Sequence, residues 1–304
     1  MQPIYMKKIS TALFLLVCTS KSFAQTDNPN KKIVPKGTVI YGNIAFANDT
    51  SESHKLDIYL PGTGKKYHPL IVWIHGGGWR KGDKCSDMNY MPNTLKAIIN
   101  RGYAVASVNY RYSTNAKFPA QIQDCNKAVE FLYQNATKYG LDKNKIALMG
   151  FSAGGHLAAL LGLSNNNSVS PFYADGLKPH FKIKLVFDYF GISDLNSLKG
   201  PGANGPHSGV TLLLGSSAAD RPDLAKFASP ITYIDKNDPP FLIIHGDKDE
   251  AVDLSQSAIL SSKLKEMHVK NELVIIPGAP HAGEMFDVAG IYNNVLKYLQ
   301  FYLK

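Results

Sequence analysis

The sequence predicts an α/β domain, with a mostly parallel central sheet, helices on both of its faces and a small cap. Three observations predict it. Apolar runs of strand length alternate with helix-length amphipathic stretches from about residue 38 onward. Several of the runs, such as Leu70–Ile74 and Phe241–Ile244, are continuous and rich in branched or aromatic residues, as in strands covered on both faces. No Pro/Gly/Ser linker and no internal repeat divides the 304 residues, a length sufficient for one large core.

In order, strands are expected at Val39–Phe46, Lys55–Leu60, Leu70–Ile74, Ala104–Asn109, Ile146–Met149, Ile183–Tyr189, Phe241–Ile244 and Leu273–Ile276. The first two follow each other without a helix between them and are expected to be antiparallel; the rest are separated by helices and read as parallel. Helical patterns cover Asn93–Asn100, Pro119–Tyr139, Ala153–Leu163, Leu254–Met267 and Gly283–Leu303. Pro119 suits the first turn of its helix and Gly140 the position just past its end. The Gly/Pro/Ser-rich stretch Ser197–Ala219 falls between two strands and reads as a long loop or small cap.

Composition narrows the function classes. With 44% hydrophobic residues and aromatics spread along the chain, extended disorder is excluded. Three Cys, no G-X-Y period and no sustained heptads exclude disulfide scaffolds, collagen and coiled coils. The formal charge is +9, but Lys7, Lys8 and Lys21 lie in the first 24 residues, which carry no acid; without them thirty bases face 24 acids, a charge of +6. No Lys/Arg run exceeds a pair, so the charge is a solvated surface and not a track for nucleic acid.

Residues 1–24 read as a secretory leader: Lys7 and Lys8 are its charged start, Ile9 to Cys18 its apolar stretch, and Ser22 and Ala24 the small residues before a cut at Gln25. The apolar stretch is too short for a stable membrane span. The compact form of the leader starts at Met6, which makes Met1 and Met6 rival starts. Leu15-Leu16-Val17-Cys18 also resembles a lipoprotein box, with Val17 where Gly, Ala or Ser is preferred, so anchoring through Cys18 is the alternative. Residues 25–37 are then an N-terminal extension and 38–304 a single domain. Export permits a Cys85–Cys125 disulfide. Cys125 shares the apolar side of its helix with Ile122, Val129 and Leu132, which favours a free core thiol. Two distant Cys without a clustered His make no metal site.

Gly150-Phe151-Ser152-Ala153-Gly154 is a G-x-S-x-G pentapeptide, unspecific alone but informative in context. A strand enters it and a helix leaves it, so Ser152 stands on a tight turn at a helix N-terminus, where the dipole favours developing negative charge. His75-Gly76-Gly77-Gly78-Trp79 follows directly on another strand. Consecutive glycines leave backbone N–H groups unobstructed, and those of Gly77 and Gly78, with that of Ala153, are the expected oxyanion donors. His75 is expected to order this loop and not to act as a base. A serine nucleophile needs a base, and the base an acid to orient it. Asp249 and His281 each lie just beyond a strand, and parallel strands bring their C-terminal ends to one edge. Asp247 is the rival acid. His245 and His156 are expected to be structural, and His54, His68, His180, His207 and His268 to lie on the surface.

Together these residues resemble the α/β-hydrolase esterases and lipases. The resemblance is carried by Leu56-Asp57-Ile58-Tyr59-Leu60-Pro61, His75 to Trp79, Asn109-Tyr110-Arg111-Tyr112, Gly150 to Ala158, Ser229 to Tyr233, Pro239 to Asp249 and Pro277 to His281, in family order. It is similar to the hormone-sensitive-lipase-like enzymes and more so to secreted bacterial esterases acting on acetylated or feruloylated plant polysaccharide. Phe151 stands where the former branch usually has an acid, Asp253 follows Val252 where a Pro is usual, and Ala282 follows His281 where a Gly is usual. The resemblance implies an α/β-hydrolase fold, a Ser152–His281–Asp249 triad, hydrolysis of a small-molecule or polysaccharide ester through an acyl-enzyme, and neither cofactor nor metal. Alternatives are a general carboxylesterase or lipase-like enzyme, an amidase like the formamidases that share an H-G-G-x-W loop, and a binding module on a dead hydrolase scaffold. The oligomeric state is not readable from the sequence.

Overall fold

The computed structural model describes residues 28–304, apart from positions 177, 201, 202 and 204. The expected leader, Cys18 and both candidate starts lie outside the described residues. Strands β1 (Val39–Ala45), β2 (Lys55–Leu60), β3 (His68–Ile74), β4 (Ala104–Val108), β5 (Leu141–Phe151), β6 (Ile183–Tyr189), β7 (Phe241–Gly246) and β8 (Asn271–Ile276) form one sheet. Its order is β1-β2-β4-β3-β5-β6-β7-β8. β2 pairs antiparallel with both β1 and β4, and every other neighbouring pair is parallel. All eight expected strands are present. β5 starts five residues before the expected Ile146, because Leu141 and Asp142 pair with His68 and Pro69 before a shift in register.

The helices are α1 (Pro92–Asn100), α2 (Ala120–Gln134), α3 (Ala153–Ser164), α4 (Gly209–Leu214), α5 (Pro222–Ala228), α6 (Ser255–Glu266) and α7 (Ala289–Tyr302). α4 and α5 were not expected, since six and seven residues are too few for a helical period to stand out. The last helix begins at Ala289 and not Gly283, because Glu284–Phe286 forms a separate 3₁₀ turn. Among the described residues no helix is long and apolar enough to cross a membrane.

Side chains of β3 alternate between two cores: Leu70, Val72 and Ile74 face the layer of α2, α3 and α6, while Ile71 and Trp73 face that of α1 and α7. Both faces are therefore dry, which is why the strand sequences are continuously apolar. The chain runs from β3 through α1 to its neighbour β4, then back over β3 through α2 to β5. Keeping both crossovers right-handed puts α1 and α2 on opposite faces. That reversal parts the loops after β3 and β5 and opens a crevice at their C-terminal ends.

The stretch set apart as an N-terminal extension is partly packed. Asn28 and Asn30 are buried, and the Asn28 side chain donates to Asp57 at 2.7 Å. Cys85 and Cys125 are both buried and free.

Candidate active site

Register builds the site. Ile74 pairs with Gly150 across β3 and β5, so His75–Gly78 and Phe151–Ser152 leave adjacent strands at one level. Ser152 has φ 54° and ψ −117°, a backbone position disfavoured for a residue with a side chain. Glycine is required on either side of it. A Cβ at Gly150 would lie 2.0 Å from the Gly154 carbonyl oxygen, and one at Gly154 would lie 2.1 Å from that of Ile74. The turn lifts the hydroxyl clear of the sheet at the head of α3.

On the neighbouring pair β7 and β8, Gly246 stands opposite Ile276, so Asp249 and His281 also emerge side by side. The Nε2 of His281 lies 2.8 Å from Ser152 Oγ, and its Nδ1 lies 2.7 Å from Asp249 Oδ2. With Nδ1–H donating to the carboxylate, Nε2 is left to accept from the serine hydroxyl. The three residues expected from the sequence are thus brought together. Asp247, the rival acid, is elsewhere: its Oδ1 accepts the Gly278 N–H at 2.6 Å and pins the loop that leads to His281.

The Asp249 carboxylate has more donors than the imidazole alone. Its Oδ1 accepts the N–H groups of Ala251 and Val252 at 2.9 and 2.8 Å. His245 Nε2, fully buried, comes within 3.1 Å of Oδ2 while also lying 2.8 Å from the Val252 carbonyl. Burial pushes the carboxyl upward, but the hydrogen bonds from His245, His281 and Val252 outweigh it and hold the group well below the usual carboxylate range. Asp249 is therefore kept as an anion beside the imidazole.

The three glycines divide their work. Gly76 N–H is taken by Asp87 Oδ2 at 2.6 Å, and Ser152 N–H by the Tyr189 carbonyl at 2.9 Å. The N–H groups of Gly77, Gly78 and Ala153 have no acceptor among the described residues, and all three residues line the same cavity as Ser152 and His281. His75 is buried under Tyr110, its ring stacked at 4.3 Å, and its Nδ1 lies 2.7 Å from the Gly76 carbonyl. Burial lowers it to about 4, so it is a neutral group that orders the loop.

The cavity has a volume of about 330 Å³. Much of its wall is apolar, from Met91, Phe151, Phe190, Ile192, Val252 and Phe286. Phe190 is held at φ 44°, and its ring centre lies 4.8 Å from that of His281. Leu198 and Gly209 also line the cavity, so the expected cap region contributes to the site.

A family model, BD-FAE, matches residues 56–264. The chain belongs to the BD-FAE family. It is 30% identical to the esterase LipQ of Mycobacterium tuberculosis over 237 residues, covering 74% of this chain and 52% of that protein. The chain spans about half the length of the curated relatives it matches. Among solved structures, a truncated carbohydrate esterase from gut microbiota aligns with TM-score 0.82 and 30% identity over 88% of this chain and 98% of that one. The bifunctional GH43-CE protein of Bacteroides eggerthii aligns with TM-score 0.79 and 33% identity over 87% of this chain and 35% of that one. The sheet and helix layout of this BD-FAE member is that of the α/β-hydrolases.

Several residues of the site carried no signal in the sequence. Asp87 and Phe190 belong to no motif. His245 was expected to be structural and proves to touch Asp249. His68, expected on the surface, is buried with Nδ1 at 2.9 Å from the Gly102 carbonyl, because β3 extends two residues further than its apolar run.

Proposed function

We propose that this chain hydrolyses carboxylic esters through an acyl-enzyme, with short acyl or feruloyl groups on a plant polysaccharide such as xylan as its substrates. The observation that carries the reading is the hydrogen-bonded line from Ser152 Oγ through His281 to Asp249, at 2.8 and 2.7 Å, beside three uncommitted N–H groups. Ser152 Oγ attacks the ester carbonyl carbon as His281 Nε2 takes its proton. Negative charge gathers on the carbonyl oxygen, which Gly77, Gly78 and Ala153 N–H would hold; one such donor typically contributes on the order of 3 kcal/mol. The alcohol departs with the proton from His281, leaving the acyl group on Ser152. Water, deprotonated by His281, then releases the acid and restores the serine. The carbohydrate-esterase likeness of two solved structures supports the polysaccharide part of the reading. Export is also part of it, supported by the composition of residues 1–24.

A second reading, a general carboxylesterase, is favoured by the apolar wall and by the esterase relatives. The test is release of acetate and ferulate from acetylated, feruloylated xylan beside a short p-nitrophenyl ester, with Ser152→Ala as control. Serine-dependent release from xylan is the expected result. Cleavage of the p-nitrophenyl ester alone would leave only the second reading standing. Turnover retained in a clean Ser152→Ala preparation would sink both.

A further inference from the structure

Apart from Ser152 and His281, the polar side chains open to the cavity come from one short stretch of chain: Arg80, Lys81, Asp87 and Tyr90. The Trp79 indole N–H, the remaining polar group of the lining, is already committed to His156 at 3.2 Å. The cavity therefore has an apolar wall and one polar flank, and that flank continues directly from the oxyanion loop.

Three members of the flank, Asp87, Arg80 and Tyr90, are held in place with a binding group left over. Asp87 is fixed from behind by the Gly76 N–H on Oδ2, and its Oδ1 has no partner among the described residues. Burial pushes this carboxyl up to about 6, with the Gly76 N–H pulling against it and the Asp83 charge adding to it, as expected of a carboxylate short of donors. Arg80 donates one N–H to the His207 carbonyl at 2.9 Å, which leaves further guanidinium donors free. Tyr90 is 67% exposed, yet its main chain is tied to the Asp87 carbonyl at 3.0 Å, between the buried side chains of Met88 and Met91. An aromatic ring kept at a cavity mouth at the cost of its burial offers a flat apolar face, and little ordering entropy is lost when a ligand covers it.

An anchored acceptor, an anchored donor and an open ring together suit a ring that carries hydroxyls on its edge and C–H groups on its faces. An alkyl alcohol or acyl tail would leave Asp87 and Arg80 desolvated without partners. We infer that Arg80, Asp87 and Tyr90 form a subsite for the carbohydrate half of the ester. This inference rests on Ser152 being the ester-cleaving nucleophile.

The test compares kcat/KM for an acetylated xylo-oligosaccharide with that for p-nitrophenyl acetate, whose alcohol half has no hydroxyl besides the ester oxygen. Asp87→Asn keeps an acceptor for Gly76 while turning the other atom into a donor, and Tyr90→Ala removes a side chain that packs little. In each variant the ratio of sugar ester to p-nitrophenyl ester should fall about tenfold, with most of the change in KM. A ratio unchanged in both variants overturns the subsite, as does a wild-type protein that cleaves only the p-nitrophenyl ester. Either result leaves the esterase reading intact if Ser152→Ala still abolishes turnover. Turnover of either ester that survives Ser152→Ala would instead remove the reading on which the subsite rests.

Discussion

The indole N–H of Trp79 donates to Nδ1 of His156 at 3.2 Å, and this buried bond fastens the loop after β3 to the helix after β5. Those two elements carry Gly77, Gly78 and Ser152, the proposed oxyanion donors and nucleophile, so their spacing depends on a contact between residues 77 positions apart. His156 is fixed in turn by Nε2, which donates to the Ala228 carbonyl at 2.8 Å. Trp79→Phe would leave His156 Nδ1 buried without a donor. The expected loss is roughly 1–3 kcal/mol of stability in urea unfolding. A fall in kcat larger than any change in KM should accompany it. An unchanged kcat would show that the loop holds its place without this bond.

The same histidine should impose a pH dependence on stability. Burial lowers His156 to about 4, against the raising effect of its bond to Ala228. Its native state is thus neutral down to that pH, while the unfolded imidazole binds a proton below about 6.5. The unfolded chain therefore binds more protons between these values, and the stability associated with His156 falls as pH drops from about 6.5 to about 4, by about 3 kcal/mol in all. By NMR, the carbon-bound ring protons of His156 should not titrate between pH 8 and 5. A midpoint near 6.5 would mean that water reaches the ring.

Asp249 should matter more for turnover than for folding. Asp249→Asn keeps the shape but turns His281 toward the wrong tautomer, and kcat should fall on the order of 10⁴-fold. Because the native carboxyl is held below its ordinary range, its contribution to stability is present above the unfolded carboxylate value of about 4 and is lost as pH falls through the lower native value. Kinetics at pH 7 decide the first point; a loss of only a few-fold would mean that Asp249 does not orient the base. His245→Leu removes one donor from the same carboxylate and should lower kcat about tenfold.

Asp287 links the far side of the site to the scaffold. Its carboxylate accepts the Asn93 and Thr94 N–H groups at 2.8 and 2.7 Å and the Thr94 hydroxyl at 2.7 Å, capping the start of α1 from the segment that follows His281. Asp287→Ala should leave these donors unpaired and lower stability by roughly 2 kcal/mol or more. Wild-type thermal unfolding in the variant would refute the role.

Much of the fold was legible because its signals are local. Both faces of β3 to β7 are dry, so each strand announces itself as an apolar run, whereas α4 and α5 are shorter than two helical turns and left no period to read. Gly150 could be interpreted because its steric demand acts within five residues, against the Gly154 carbonyl, whereas the demand on Gly154 comes from Ile74 on another strand. Ser152, Asp249 and His281 were legible for a related reason: each sits directly after a strand, and parallel strands deliver their ends to one edge.

What the sequence by itself determined is therefore the order of elements, the glycine-flanked turn and which side chains arrive at the edge of the sheet. Only the tertiary structure decided what those side chains meet there. It chose Asp249 over Asp247, set His245 against the same carboxylate, turned Asp87 toward Gly76 and bound Trp79 to His156. Such partners lie on loops and helices far apart in the chain, and no periodicity or turn chemistry relates them. Their pairing follows from the register of β3 with β5 and of β7 with β8, which is fixed only when both faces of the sheet are packed.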